Sequence, residues 1–230
     1  MSRWPLRQRE DQLYREAKDI PTWVLADKSR RFLLDTCRQL WELTPTPTVD
    51  TYEELSPVQV RRLTVLHLGQ LIVRATGAQM MLIATGYERE AFGQVRITTE
   101  AHLRTRQVVD DKSGESARSI MAGRTSNIKR LAHRYGQKHD IELLDHFAHA
   151  DVLSLRPLGP PPTEGRREAI VEMQPTRGLA RPAQQLLEAT DKCVGQTAAM
   201  VEVFELGVLV PPSIGDKLRW YRDNPLPTPL

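Results

Sequence analysis

The chain contains few aromatic residues and few cysteines, and each scarcity argues against a class of protein. Aromatic residues make up 6% of the 230 residues. This disfavours an all-β fold, because strands are enriched in aromatic side chains. Cys37 and Cys193 are far apart in the sequence and show no CxxC spacing. They therefore indicate reduced thiols rather than a disulfide framework.

Long apolar runs are also lacking. The N-terminal segment MSRWPLRQREDQLYREAKD is charged throughout and has no apolar region of the signal-peptide type. The most apolar span, LHLGQLIVRATGAQMMLIATGY, is interrupted by Gln70, Arg74 and Gln79. A membrane-spanning helix needs about 20 predominantly apolar residues. We therefore expect a cytoplasmic protein that has no membrane partner.

Two further features are missing. No alternating run is long enough to indicate a sheet, and no glycine-rich phosphate loop follows a strand-like segment. The net charge of +3 is small for this length, so it neither requires nor excludes a nucleic-acid partner.

Apolar residues recur instead at helical spacing, which predicts an all-α fold. Ser56-Pro57 marks the clearest helix start, because serine can cap a helix and proline fits its first turn. We predict a bundle of four to five long helices with short peripheral helices. The predicted helices cover residues 26–43, 57–85, 89–109, 116–136, 139–153 and 182–209, with a weakly helical segment at residues 8–18 and a short helix in SIGDKLRWYRDN.

The predicted helices suggest three regions. Residues 1–50 are an N-terminal helical extension, residues 51–210 are the core of the bundle, and residues 211–230 are a short C-terminal helix with a proline-rich tail. We find no internal repeat of 20–50 residues.

The segment HRYGQKHDIELLDHFAHAD holds four of the six histidines. If it is helical, Glu142, His146 and His149 lie on one face, and these residue types can bind zinc or iron. No second ExxH or HExxH helix accompanies them. We therefore expect no metal and no other cofactor, and a metal site stays open as an alternative beside a solvated polar face and an internal polar site.

Arg134 and His139 are separated by four residues in RYGQKH, a pattern that resembles the R-x4-6-H motif of HEPN-domain proteins. The resemblance implies a helical bundle that acts on RNA, as a toxin or phage-defence effector. Arg134 would then hold the scissile phosphate and His139 would move a proton. The R-x4-6-H pattern also occurs in RLTVLH and RITTEAH, and Tyr135 stands where the family favours Asn or Asp.

Arg96 and Glu100 are four residues apart in GQVRITTEAHLRTRQ, and HFAHADVLSL follows about fifty residues later. This combination resembles an uncharacterised bacterial family of helical domains with an Arg-x-x-x-Glu helix, a His turn, a proline-rich loop and a final long helix. The resemblance covers roughly residues 60–209 and implies a polar network or pocket formed by Arg96, Glu100 and His149. Ala150 stands where the family has Gly or Pro after the histidine.

These patterns favour an interaction or scaffold protein that binds a protein partner or forms a homo-oligomer. Two alternatives remain open. One is a HEPN-like effector with RNA as its partner, and the other is a metal or small-molecule enzyme that uses the His/Glu cluster. Whether the protein is an enzyme is not decided by the sequence.

Overall fold

The described part of the computed structural model comprises residues 12, 14–16, 21–44, 53–124, 127–137, 180–204 and 212–224. Within these residues the chain is all-α, as the sequence predicts, and no strand occurs. Residues 12 and 14–16 are helical. The helices with defined bounds are α1 (Pro21–Glu42), α2 (Pro57–Thr85), α3 (Glu88–Asp110), α4 (Glu115–Met121), α5 (Ile128–Arg134), α6 (Ala180–Val203) and α7 (Pro212–Asp223).

Four of these helices, α1, α2, α3 and α6, have 22 to 29 residues and pack against one another. Helix α1 contacts α2 and α6, and α3 contacts the same two helices. The short helices are peripheral: α4 lies on α2 and α3, α5 lies on α3, and α7 lies on α6. The number of long helices in the whole chain stays a prediction, because residues 138–179 lie outside the described part.

Helix α2 begins and ends where the sequence predicts. The Ser56 side chain accepts a hydrogen bond from the Gln59 backbone N–H, and the Gln59 side chain accepts one from the Ser56 N–H. This capping box satisfies two N–H groups that have no partner within the helix. Gly86 ends the helix at φ 89°, a left-handed conformation that glycine adopts without steric cost.

The core joins the first segment of the chain to the later helices. Leu33, Cys37 and Leu40 of α1 share one buried cluster with residues of α2, α3 and α6. The division into an extension, a core and a tail stays a prediction, but α1 packs inside the bundle. Buried Arg61 links α2 to α3, because its side chain donates a hydrogen bond to the carbonyl of Val108 at 3.0 Å, at the C-terminal end of α3.

One predicted helix is wrong. The sequence predicts a continuous helix over residues 116–136, but α4 ends at Met121 and α5 begins at Ile128. Gly123 has φ 70°, which lies outside the range of a right-handed helix. The Asn127 side chain then accepts a hydrogen bond from the Lys129 N–H and caps a new helix.

Helices α3 and α6 lie close to their predicted positions. Residues 89–109 were expected to be helical, and the structure has Glu88–Asp110. The helix predicted over residues 182–209 is observed as Ala180–Val203, and residues 205–211 lie outside the described part. In the part of the chain that is described, no helix combines the length and apolar character needed to cross a membrane.

Candidate functional site

Three charged side chains on α3 form an ion-pair network, here called the Arg96–Glu100–Arg104 network. Arg96 Nη1 donates to Glu100 Oε2 at 3.1 Å, and Arg104 Nε donates to Glu100 Oε1 at 3.1 Å. Arg104 Nη2 also donates to Glu100 Oε1. Residues four apart lie on the same face of a helix, so this repeat brings two guanidinium groups to one carboxylate.

The network is partly shielded from water and contains two guanidinium groups and one carboxylate. The side chain of Arg104 is 9% exposed, that of Arg96 is 16% exposed and that of Glu100 is 33% exposed. Arg104 Nη1 is buried and has no hydrogen-bond partner among the described residues. Removing one partner of a buried ion pair destabilises a protein, because the other charge is left without a counter-charge.

The structure brings together two of the three residues predicted for the polar network. Arg96 and Glu100 are in contact, whereas His149 lies outside the described residues. Sequence reasoning missed Arg104, which is the most buried of the three charged side chains. Its signal was present, since Arg104 follows Glu100 at the same four-residue spacing that identified Arg96.

Arg134 lies at the end of α5. A phosphate that bound its guanidinium would compete with the neighbouring Asp110 carboxylate. Its Nη2 is 3.6 Å from Asp110 Oδ2, and its guanidinium carbon is 5.5 Å from the centre of the Tyr135 ring. The Tyr135 hydroxyl donates to the same Asp110 oxygen at 2.7 Å. Burial and this hydrogen bond raise the pKa of Tyr135 to about 12. His139 lies outside the described residues.

In each of the two other R-x4-6-H matches, the arginine and the histidine lie in different surroundings. Arg62 lies over the Phe204 ring at 5.1 Å, whereas the His67 ring is 6.1 Å from the Trp41 ring. In the second match Arg96 belongs to the ion-pair network, while His102 packs against α6. In neither match does an arginine placed to bind a phosphate lie beside a histidine placed to transfer a proton.

The predicted metal ligands Glu142, His146 and His149 lie outside the described residues. Where side chains are described, no group of three or more His, Cys, Asp or Glu residues is arranged to hold a metal ion.

His102 is a buried histidine in the interface between α3 and α6. A Cβ added at Gly195 would lie 3.0 Å from His102 Cε1, so the ring occupies the space that this glycine leaves. Its Nδ1 is buried, and no hydrogen-bond partner for it occurs in the described part of the chain. Burial, together with the charges of Lys192 and Arg106, lowers the pKa of His102 to about 4. The residue is therefore neutral near pH 7 and serves packing.

Two clefts open between α1 and α2, which run antiparallel. The first has a volume of about 860 Å³ and is lined by residues that include Val24, Lys28 and Met81. The second has a volume of about 410 Å³ and is lined by residues that include Trp41 and Arg74. Because the same two helices line both clefts, we treat them together as the α1–α2 groove.

The groove combines exposed apolar side chains with basic ones. Val24, Trp41 and Met81 are 42%, 48% and 49% exposed. Five Lys or Arg residues line the groove but only two acidic residues do, and the full charged set is Asp27, Lys28, Arg30, Arg31, Arg38, Glu42 and Arg74. The groove is therefore an amphipathic surface on which basic side chains outnumber acidic ones.

The exposure of Trp41 was not predicted. Its position in the apolar repeat of α1 placed it on the buried face, but the ring lies at the groove beside His67. Burial lowers the pKa of His67. The spacing alone could not find this site, because the same repeat contains Leu33 and Leu40, which are fully buried.

A scan of protein-family models, a search of curated proteins and a search of solved structures each found no match to this chain.

Proposed function

We propose that this protein is a helical interaction protein whose α1–α2 groove receives a helix from a protein partner. One observation carries the proposal: three large apolar side chains, Val24, Trp41 and Met81, remain exposed along one groove. Exposed apolar surface that is clustered and bordered by polar groups is typical of interaction sites. A groove between two helices suits an amphipathic helix, which inserts its apolar face.

Contacts with α6 support this role by fixing α2, which forms one side of the groove. Gln196 of α6 donates to the Val65 carbonyl of α2 at 3.1 Å, and Gln79 of α2 donates to the Gln185 carbonyl of α6 at 3.0 Å. Buried side-chain hydrogen bonds of this kind restrict how one helix can slide past another. They hold α2 in position while its outer face remains available.

The proposal is tested by photo-crosslinking in the full-length protein. A photoreactive phenylalanine analogue replaces Trp41 in one variant and Trp220 in a control, because Trp220 is 54% exposed on α7 and does not line the groove. We expect the Trp41 variant to form an adduct and the control to form none. Mass spectrometry should place the adduct in an amphipathic helix of the partner.

A synthetic copy of that helix should bind the wild-type protein and lose affinity for Met81→Asp. Equal adducts from both crosslinking positions, or a partner peptide that binds Met81→Asp as well as wild type, contradict the proposal.

The second candidate function is the HEPN-like action on RNA. Its support is the Arg134–His139 spacing and the exposed position of Arg134, whose side chain is 62% exposed. The Asp110 carboxylate beside Arg134 weighs against it, because an anion already compensates the charge that a phosphate would need. Incubation of wild type, Arg134→Ala and His139→Ala with single-stranded and structured RNA tests this function. Cleavage by wild type that both variants lose would support it.

The metal or small-molecule enzyme remains a third proposal, supported only by the i, i+4, i+7 spacing of Glu142, His146 and His149. Elemental analysis of the purified protein tests it. About one equivalent of zinc or iron, lost in the His146→Ala variant, would support this proposal.

A further inference from the structure

The proposed function does not specify the chemistry of the partner helix. The charge of the groove indicates which charge the polar face of that helix carries. Resting on that proposed function, we infer that the occupant of the α1–α2 groove is an amphipathic helix with an acidic polar face. The inference depends on the distribution of charged and apolar side chains along the groove.

The groove has the length of a helix of several turns. Its lining residues on α1 extend from Trp23 to Glu42, and a rise of 1.5 Å per residue makes this about 28 Å. A partner helix of this length has about 20 residues. Val24 and Met81 lie at one end and Trp41 lies at the other, so apolar anchors are needed at both ends of the occupant.

Carboxylates of the described residues compensate the basic side chains of the groove only in part. Asp27 pairs with Arg30 at 3.0 Å and with Arg31 at 2.7 Å. Arg38 Nη1 lies 4.0 Å from Asp35, which is a weak contact between exposed groups.

Lys28 and Arg74 are exposed, and among the described residues neither takes part in an ion pair with a carboxylate. Glu42 is the other acidic residue in the lining. A partner with carboxylates at its polar positions meets this excess of positive charge, whereas a basic helix would place like charges together.

The apolar anchors distinguish a helix from a nucleic acid. A single-stranded RNA would meet the basic residues, but it offers no aliphatic side chains for Val24, Met81 and the apolar floor that Met80 and Val73 contribute. An acidic amphipathic helix satisfies both components of the surface. The chemical class of the partner is therefore a helix that carries large apolar residues on one face and Glu or Asp on the other.

The test uses three synthetic helical peptides of about 20 residues with identical apolar positions and with Glu, Gln or Lys at the polar positions. Binding to the full-length protein is measured by isothermal titration calorimetry. We expect the Glu peptide to bind about tenfold more tightly than the Gln peptide, and the Lys peptide to bind most weakly. Raising NaCl from about 0.1 M to about 1 M should reduce the advantage of the Glu peptide, since the screening length falls from about 10 Å to about 3 Å.

Charge-reversal variants link this preference to the groove. Lys28→Glu and Arg74→Glu should each weaken the Glu peptide about tenfold and strengthen the Lys peptide. The matched control is Arg130→Glu, which changes an exposed arginine on α5 away from the groove and should leave all three affinities unchanged. Circular dichroism confirms that each variant is folded.

The outcomes separate this inference from the proposed function. Equal binding of the three peptides, lost in Met81→Asp, overturns the acidic preference but leaves a helix-binding groove. No binding by any peptide overturns both. An RNA oligonucleotide that binds more tightly than the Glu peptide and depends on Arg74 overturns the inference in favour of nucleic acid. A dimer in sedimentation analysis that Met81→Asp dissociates overturns it in favour of a second copy of this chain.

Discussion

At the residue scale, Glu100 is the side chain on which the charge network depends. It accepts hydrogen bonds from Arg96 and Arg104, and the Arg104 side chain is 9% exposed. Glu100→Gln removes the negative charge and leaves two guanidinium groups near one another. We expect the free energy of unfolding to fall by about 2 kcal/mol, less than for a fully buried pair because Glu100 is 33% exposed.

Urea denaturation of Glu100→Gln measures this effect. The matched control is Asp216→Asn, which breaks an exposed pair with Arg219 on α7 and should change the free energy of unfolding by less than about 0.5 kcal/mol. A Glu100 variant that matches this control would show that the network contributes nothing to stability.

The second prediction at the residue scale concerns His102, whose pKa is lowered to about 4 by burial and by the charges of Lys192 and Arg106. Above pH 6.5 the histidine is neutral in both states. Between about pH 6.5 and pH 4 the unfolded chain binds a proton that the folded protein does not bind, so the free energy of unfolding falls as the pH falls. The loss is on the order of 3 kcal/mol and is complete below about pH 4.

Urea denaturation at several pH values checks this dependence. In His102→Gln the slope between pH 6.5 and pH 4 should be smaller than in wild type, although His67 keeps a contribution of the same sign because burial lowers its pKa. His133→Gln, at an exposed position on α5, is the matched control. An unchanged slope in His102→Gln would mean that His102 has the same pKa in the folded and unfolded states.

At the element scale, the close packing of α2 against α1 and α6 depends on a small residue. A Cβ added at Gly69 would lie 2.9 Å from Met200 Sδ and 3.0 Å from Cys37 Sγ. Both neighbours are buried, so a methyl group forces a movement in the core. Such overpacking costs about 1–3 kcal/mol, while the helix propensity of alanine returns about 1 kcal/mol.

We therefore expect Gly69→Ala to lower the melting temperature. Gly93→Ala in α3 is the matched control, because no atom lies within 4 Å of a Cβ at that position, and it should raise the melting temperature through helix propensity alone. Thermal unfolding followed by circular dichroism compares the two. Stabilisation by both substitutions would show that α2 has room to move away from α1 and α6.

At the scale of the whole molecule, α7 covers a separate part of the core. Ile214 of α7 is buried with Phe32 of α1 and Val201 of α6, and Leu218 and Tyr221 pack against them. We expect deletion of residues 212–230 to leave the helical circular dichroism of the bundle in place, to lower the melting temperature and to increase binding of a hydrophobic dye. The lower melting temperature and the greater dye binding are expected because Phe32 and Val201 become exposed to water in the truncated protein.

Full-length protein measured beside the truncated protein is the reference. Loss of all cooperative unfolding after the deletion would contradict the assignment of residues 211–230 as a peripheral region.

The sequence by itself determined the fold class and several helix boundaries. Apolar spacing predicts α1, α2, α3 and α6, and Ser56-Pro57 marks the start of α2, because helix caps act locally and use neighbouring residues. The Arg96–Glu100 contact was also readable, since a four-residue spacing in one helix determines which side chains can meet. The break between α4 and α5 was missed, because Gly123 can occupy either a helix or a left-handed turn.

Only the tertiary structure decided which apolar residues are buried. Trp41 and Leu40 are adjacent in α1, yet Trp41 is 48% exposed and Leu40 is fully buried. Their difference depends on where α2 and α6 pack against α1, which no local pattern contains. Buried threonines complicate the pattern further: Thr64 and Thr105 donate to carbonyls of their own helices, so these two hydroxyls are buried with their hydrogen bonds satisfied. The α1–α2 groove arises from this packing, because a cleft between two helices exists only after both have been placed.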